Sequence, residues 1–144
     1  LSTDMIVGFP GETVDDFDQT MTLLERVRFH SMFSFKYSER PNTLAAKRMA
    51  DDVPEVEKTR RLAVLQERQA AIQLVLHERA VGRDFPVLVD GISRRRDSEV
   101  SGRTSGNTVV NFPGDEQLLG STVMVHIDRA GPHSLRGCVS QVVA

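Results

Sequence analysis

The feature that most constrains the fold is a change in hydrophobic periodicity at Val81-Gly82. Before about residue 80, apolar residues recur every three or four positions over long stretches, as they do in amphipathic helices. After that point they alternate in short runs that are separated by turns containing glycine. Because such runs are typical of small antiparallel β-structures, we predict an α/β part followed by an all-β part.

The first 50 residues predict a strand, a helix and a second strand. The continuous apolar run at residues 4–8 predicts a buried strand, and MFSFKY at residues 32–37 predicts another. Between them, Thr13 and Asp16 have the spacing of a capping box at the start of a helix. Because a helix that bridges two strands in this way makes a βαβ unit, the strands are expected to pair in parallel.

The rest of the chain predicts a connecting helix and a small barrel. Residues 51–80 carry an apolar stripe at helical spacing among Arg, Glu and Gln residues. Residues 81–144 predict an antiparallel five-stranded β-barrel, with its strands at 85–89, 98–103, 108–112, 123–127 and 135–143. We therefore expect domains at 1–50, 51–80 and 81–144.

Composition limits the possible functions. The net charge of −2 gives no general support for binding to nucleic acid, so such a function must rest on local clusters of basic residues. The single cysteine, Cys138, excludes an internal disulfide, suits a cytoplasmic protein, and is predicted to be a buried strand residue. One cysteine alone cannot hold an iron–sulfur cluster. No apolar run approaches the roughly 18 residues that a membrane span needs.

The turn in DMIVGFPGET, residues 4–13, has two interpretations. Its glycines allow a tight strand-to-helix corner. Its position at the carboxyl end of a parallel strand is also where open sheets and barrels bind ligands. The spacing of a phosphate-binding loop and its lysine are absent, so that class of site is excluded.

Four stretches, in this order, resemble the radical S-adenosylmethionine methylthiotransferases. They are TDMIVGFPGET, FSFKYSERPNTLAA, SGRTSGNTVVNFPG and AGPHSLRG. The first two are similar to late strands of that family's catalytic barrel, and the last two to its TRAM domain, a small RNA-binding barrel. The resemblance is closest to the tRNA-modifying branch. Since the chain starts at Leu1 rather than Met, we interpret it as the C-terminal part of a longer protein.

The resemblance implies a reaction, its cofactors and its partners. The full enzyme is expected to add a methylthio group to carbon 2 of N6-dimethylallyladenosine beside the tRNA anticodon. It is expected to use S-adenosylmethionine and two [4Fe-4S] clusters, whose cysteine ligands would lie upstream of Leu1. The implied partners are the tRNA anticodon stem-loop and a reducing electron donor such as flavodoxin or ferredoxin, with no membrane, and the protein is expected to be a monomer.

The resemblance also assigns cofactor-binding residues. In this family a strand presents its backbone to the adenine of the cofactor, and the matching positions here are Ile6, Val7, Gly8 and Phe9. We expect Gly8 to let the ligand come close. Arg40 follows the second strand, and it would either pair with a cofactor carboxylate, contact an RNA phosphate or remain a solvated turn residue. No catalytic residue and no metal ligand is expected in this chain.

The implied RNA-binding residues all lie in the barrel. The run Arg94, Arg95 and Arg96 would contact phosphates, or it would form a solvated hairpin tip. The other candidates are Arg103, Thr104, Asn107 and Arg136. Phe112 would stack on a base or lie in the core, and we favour the core.

Two alternative functions remain open. The chain could be an RNA-binding TRAM module without catalytic activity, or it could belong to the sibling enzyme that modifies a ribosomal protein. On the leading hypothesis, this chain alone lacks the cluster ligands and is expected to be inactive.

Overall fold

The computed structural model describes residues 1–92 and 98–142. The chain divides into two compact units, residues 1–73 and residues 74–144. In the part of the chain that is described, no helix is long and apolar enough to cross a membrane.

The first unit opens with the predicted strand–helix–strand arrangement. Strand β1 spans Ser2–Val7, helix α1 spans Val14–Val27 and strand β2 spans Ser31–Lys36. The two strands pair in parallel, with Ser2 beside Ser31 and Val7 beside Lys36. The predicted parallel pairing is therefore confirmed.

Local sequence signals determine where the helices begin. The Thr13 hydroxyl accepts a hydrogen bond from the Asp16 amide, and the Asp16 carboxylate accepts one from the Thr13 amide, so the capping box is confirmed. Helix α2, Leu44–Arg48, is short, and helix α3 spans Glu55–Glu78. The division between the two compact units falls within α3.

The second unit contains a closed five-stranded β-barrel. In chain order its strands are Asp84–Ile92 (β3), Glu99–Thr104 (β4), Val109–Pro113 (β5), Thr122–Ala130 (β6) and Leu135–Val142 (β7). Around the barrel, the strands follow the order β3, β4, β5, β7, β6. A 3₁₀ turn at Glu116–Leu118 lies between β5 and β6. The predicted small barrel is confirmed, but its strand pairing is not antiparallel throughout.

The exception is the pair β5 and β7, which run parallel where Val110 meets Leu135 and Asn111 meets Arg136. The other four pairs of neighbouring strands are antiparallel. An odd number of strands cannot alternate in direction all the way around a closed ring, so one neighbouring pair must be parallel. The prediction of an antiparallel barrel was wrong in this respect.

The barrel core is built from inward-facing residues on all five strands. Its largest fully buried side chain is Phe112, which has no solvent exposure, so its predicted place in the core is confirmed. The remaining core residues are Val87, Val89, Val100, Val110, Val123, Val125, Ile127 and Leu135. Cys138 is exposed, so its predicted burial was wrong. It lies beside His126 on the outer face, because the neighbouring Gly137 takes the inward position of β7.

Candidate nucleic-acid interface

The turn between β1 and α1 is held by side chains of unit 1. The Gly8 amide donates a hydrogen bond to the Glu12 carboxylate over 3.0 Å. The Arg61 guanidinium donates to the same carboxylate over 2.5 Å and to the Glu12 carbonyl over 3.0 Å. The Gly11 amide donates to Asp52 over 2.7 Å. The turn is therefore a tight corner whose backbone donors at both glycines are already bonded within the protein.

The close approach of the Lys58 side chain explains why position 8 is a glycine. A Cβ built there would lie 2.4 Å from Cγ of Lys58, and the backbone of Gly8 has a φ of +73°. The side chain of Lys58 is only 3% exposed, and its ammonium group donates to both carboxylate oxygens of Asp51, at 2.6 and 2.7 Å. The close contact on the Cα side of Gly8 is therefore made by Lys58, and the approach of a ligand to the Gly8 backbone stays a prediction.

The other predicted cofactor-binding residues differ in their accessibility. Ile6 is 56% exposed and Phe9 is 41% exposed, whereas the side chain of Val7 is fully buried. Phe9 packs edge-on against Tyr37, with ring centroids 5.1 Å apart. Arg40 is exposed. Apolar surface and one cation thus remain open for a ligand, and the cofactor-binding role of these residues stays a prediction.

The donor set does not fit an iron–sulfur cluster. The sequence holds one cysteine, and residues 1–92 and 98–142 contain no group of three His, Cys, Asp or Glu side chains that could hold a metal ion.

The turn between β4 and β5 brings three of the predicted RNA-binding residues together. Arg103 donates a hydrogen bond to the side-chain oxygen of Asn107 over 3.0 Å and pairs with the Asp90 carboxylate over 3.3 Å. The Thr104 hydroxyl accepts from the Thr108 amide over 3.2 Å. Asn107 adopts a left-handed backbone with a φ of +62°. These side chains therefore shape the hairpin, while about half of the Arg103 side chain stays exposed.

Arg136 lies on β7 and is bonded to Glu99, which belongs to β4. A guanidinium that is paired with a carboxylate keeps other N–H groups for a second acceptor. The predicted residues Arg94, Arg95 and Arg96 lie outside the described residues.

The outer face of the barrel carries a row of polar residues that crosses four neighbouring strands. The pairing registers place Arg129 of β6 beside Arg136 of β7, Arg136 beside Asn111 of β5, and Asn111 beside Ser101 of β4. We refer to these four residues as the polar row. Sequence reasoning missed Asn111, although it alternates with the inward-facing Val110 and Phe112, which is the signal of an outward position.

Comparisons with known proteins agree with this architecture. A family model described as the TRAM domain matches residues 78–139. The tRNA-2-methylthio-N(6)-dimethylallyladenosine synthases of Salmonella paratyphi B and Salmonella newport are each 49% identical to this chain over 139 residues. The match covers 96% of this chain but only 29% of the length of those relatives. Residues 78–139 are therefore similar to the TRAM domain, in a chain that is similar over nearly its whole length to part of those synthases.

Proposed function

We propose that this chain is the C-terminal part of a tRNA methylthiotransferase and that its barrel binds the anticodon stem-loop. The single observation that carries the proposal is the 49% identity over 96% of the chain to synthases whose name specifies a modified tRNA adenosine. The reaction of the whole enzyme is the addition of a methylthio group to carbon 2 of N6-dimethylallyladenosine.

The outer face of the barrel supports RNA binding. Phosphate contacts are made mainly by Arg and Lys side chains, by Asn, Ser and Thr side chains, and by backbone amides. The polar row offers two guanidinium groups, one amide and one hydroxyl on adjoining strands, and Arg103 is exposed at the hairpin next to it. Since these contacts are directed at the phosphate backbone, they position the RNA without reading its sequence.

The role of the first unit is to contribute to the S-adenosylmethionine site of the whole enzyme. Its support is the exposed apolar surface at Ile6 and Phe9, together with the exposed cation of Arg40. When bound, that cofactor supplies the radical and the methyl group, and the clusters need cysteines that this chain does not contain. The 144-residue chain alone is therefore catalytically inactive. The whole protein is located in the cytoplasm, a compartment that the single cysteine of this chain suits.

Titration of the 144-residue chain with a fluorescent anticodon stem-loop RNA tests the binding proposal. We expect saturable binding. The logarithm of the binding constant should fall linearly with the logarithm of the salt concentration, because phosphate contacts release counterions. A hairpin of the same length with a scrambled loop serves as a control for loop recognition. Absence of RNA binding at low salt would contradict the proposal.

A separate assay of catalysis tests the inactivity of the chain. Incubation with S-adenosylmethionine, a chemical reductant and modified RNA is expected to give no methylthiolated product. Turnover under these conditions would show that the cluster ligands do not have to come from outside the chain.

A further inference from the structure

We propose that Arg129 is a phosphate-binding residue of the barrel and that a β-bulge in β6 presents it to the RNA. The inference rests on the proposed RNA-binding function and adds a residue that the sequence patterns did not single out. It is carried by three observations: the bulge, the ion pairs of two other arginines on the barrel, and the exposure of Arg129.

The bulge turns Arg129 toward solvent. Val125 and Ile127 face the core with no solvent exposure, so regular alternation would also point Arg129 inward. The register between β6 and β7 shifts between Ile127 and Arg129, which places the extra residue at Asp128. Asp128 and Arg129 are consequently both exposed. Bulges are known to redirect side chains near functional sites, and this one keeps a charged group out of the core.

Two other arginines of the barrel, Arg136 beside Arg129 and Arg103 on β4, are paired with carboxylates. Arg103 is paired with Asp90, and Arg136 is bonded to Glu99. Arg129 makes no ion pair or side-chain hydrogen bond within residues 1–92 and 98–142. Among the described residues, Arg129 therefore offers a phosphate a guanidinium that does not share its charge with a carboxylate.

Two neighbouring arginines also repel each other unless a negative charge lies close to them. Arg129 and Arg136 are directly paired in the register of β6 and β7, and like charges in that position destabilise a sheet. Glu99 offsets the charge of Arg136, because its carboxylate accepts a hydrogen bond from that guanidinium. Glu99 belongs to β4, which lies beyond β5 on the side of β7 that faces away from β6. A phosphate bound at Arg129 would offset the second charge. Asn111, whose amide has no side-chain hydrogen bond in the described part of the chain, lies next to Arg136 and can donate to the same backbone.

The test measures the salt dependence of RNA binding by the full 144-residue chain. The variant Arg129→Ala is compared with Arg26→Ala, which removes another exposed arginine, from helix α1 in the other unit. Loss of one phosphate contact reduces the slope of log K against log salt by about 0.7 to 0.9. At about 0.1 M salt, this corresponds to an affinity that is roughly sixfold weaker. We expect Arg26→Ala to leave both quantities unchanged, and Arg129→Lys to restore most of the slope.

Each possible result either supports or contradicts the proposed role of Arg129. If the unaltered chain binds RNA and Arg129→Ala keeps the same slope and affinity, the inference is wrong while RNA binding by the barrel stands. If both alanine variants weaken binding equally, net charge explains the effect and the inference is also wrong. If the unaltered chain does not bind RNA, both proposals fail. Circular dichroism checks the fold of each variant, and if Arg129→Ala does not fold, Arg129→Gln takes its place against Arg129→Lys.

Discussion

Replacing Phe112 by alanine distinguishes the two roles that its sequence position allowed. The ring has no solvent exposure and is the largest fully buried side chain of the barrel. Truncation of a buried Phe to Ala costs about 3 to 5 kcal/mol, because it removes apolar contacts and leaves a cavity. A domain the size of residues 74–144 has a free energy of unfolding of roughly 4 to 10 kcal/mol. The variant should therefore lose about a third or more of the barrel's stability.

Thermal unfolding of the full chain, followed by calorimetry, measures this loss. For a domain of this size each kcal/mol lowers the melting temperature by about 4 to 8 °C, so we expect a decrease of at least about 12 °C. Phe112→Leu fills most of the space and should cost much less, and it should bind RNA as the unaltered chain does. An unchanged melting temperature for Phe112→Ala, together with weakened RNA binding, would refute the core assignment and indicate that the ring stacks on a base.

Three further predictions concern other parts of the structure. Gly137→Ala would place a Cβ 2.0 Å from the His126 carbonyl oxygen, so we expect it to destabilise the barrel by about 3 kcal/mol in urea unfolding, at the upper end of the usual cost of overpacking. Gly106→Ala, whose Cβ would meet nothing closer than 3.7 Å, should be tolerated. Equal destabilisation by Gly106→Ala and Gly137→Ala would contradict the close packing of β6 against β7 at Gly137. Glu12→Gln weakens the bonds that Arg61 donates to it and should cost about 1 to 3 kcal/mol, whereas exposed Glu39→Gln should cost little. Hydrogen bonds from Arg60 and then Arg61 lower the pKa of Glu57 from its usual 4.5 to about 2. The stability that Glu57 contributes is therefore complete above pH 4.5 and is lost as the pH falls toward 2. The urea midpoints of the unaltered chain and of Glu57→Gln should approach each other between pH 4.5 and pH 2, and their difference should stay constant above pH 4.5.

The elements that sequence reasoning predicted are those whose signals are local. The capping box at Thr13 and Asp16 and the apolar stripe of α1 depend on residues a few positions apart, so they can be read from the chain directly. The alternating runs of the barrel have the same property, and all five strands were predicted close to their observed positions.

The features that sequence reasoning missed depend on pairing between distant residues. The parallel pair of β5 and β7 follows from closing the barrel, and the bulge at Asp128 is visible only once β6 is aligned with β7. The partner of Arg136 is Glu99, which lies 37 positions away, so no local sequence pattern predicts this ion pair. The predicted RNA-binding residues Arg103 and Arg136 are each paired with a carboxylate that their own sequence positions did not indicate.

Buried charges in the first unit were missed for a related reason. Lys58 and Arg61 lie in helix α3, where the pattern of charged residues predicts a solvated face. Both are nearly inaccessible, since Asp51 pairs with Lys58 and Glu12 pairs with Arg61. Only the folded chain brings each cation to its carboxylate.

The central claim is that the outer face of the barrel binds RNA, and chemical-shift mapping tests it most directly. An anticodon stem-loop RNA would be titrated into the isotope-labelled 144-residue chain while its amide and side-chain resonances are recorded. We predict saturable shifts that concentrate on β4, β5, β6 and β7, at the polar row and the β4–β5 turn. Shifts confined to residues 1–73, or none at all up to saturating RNA, would contradict the claim.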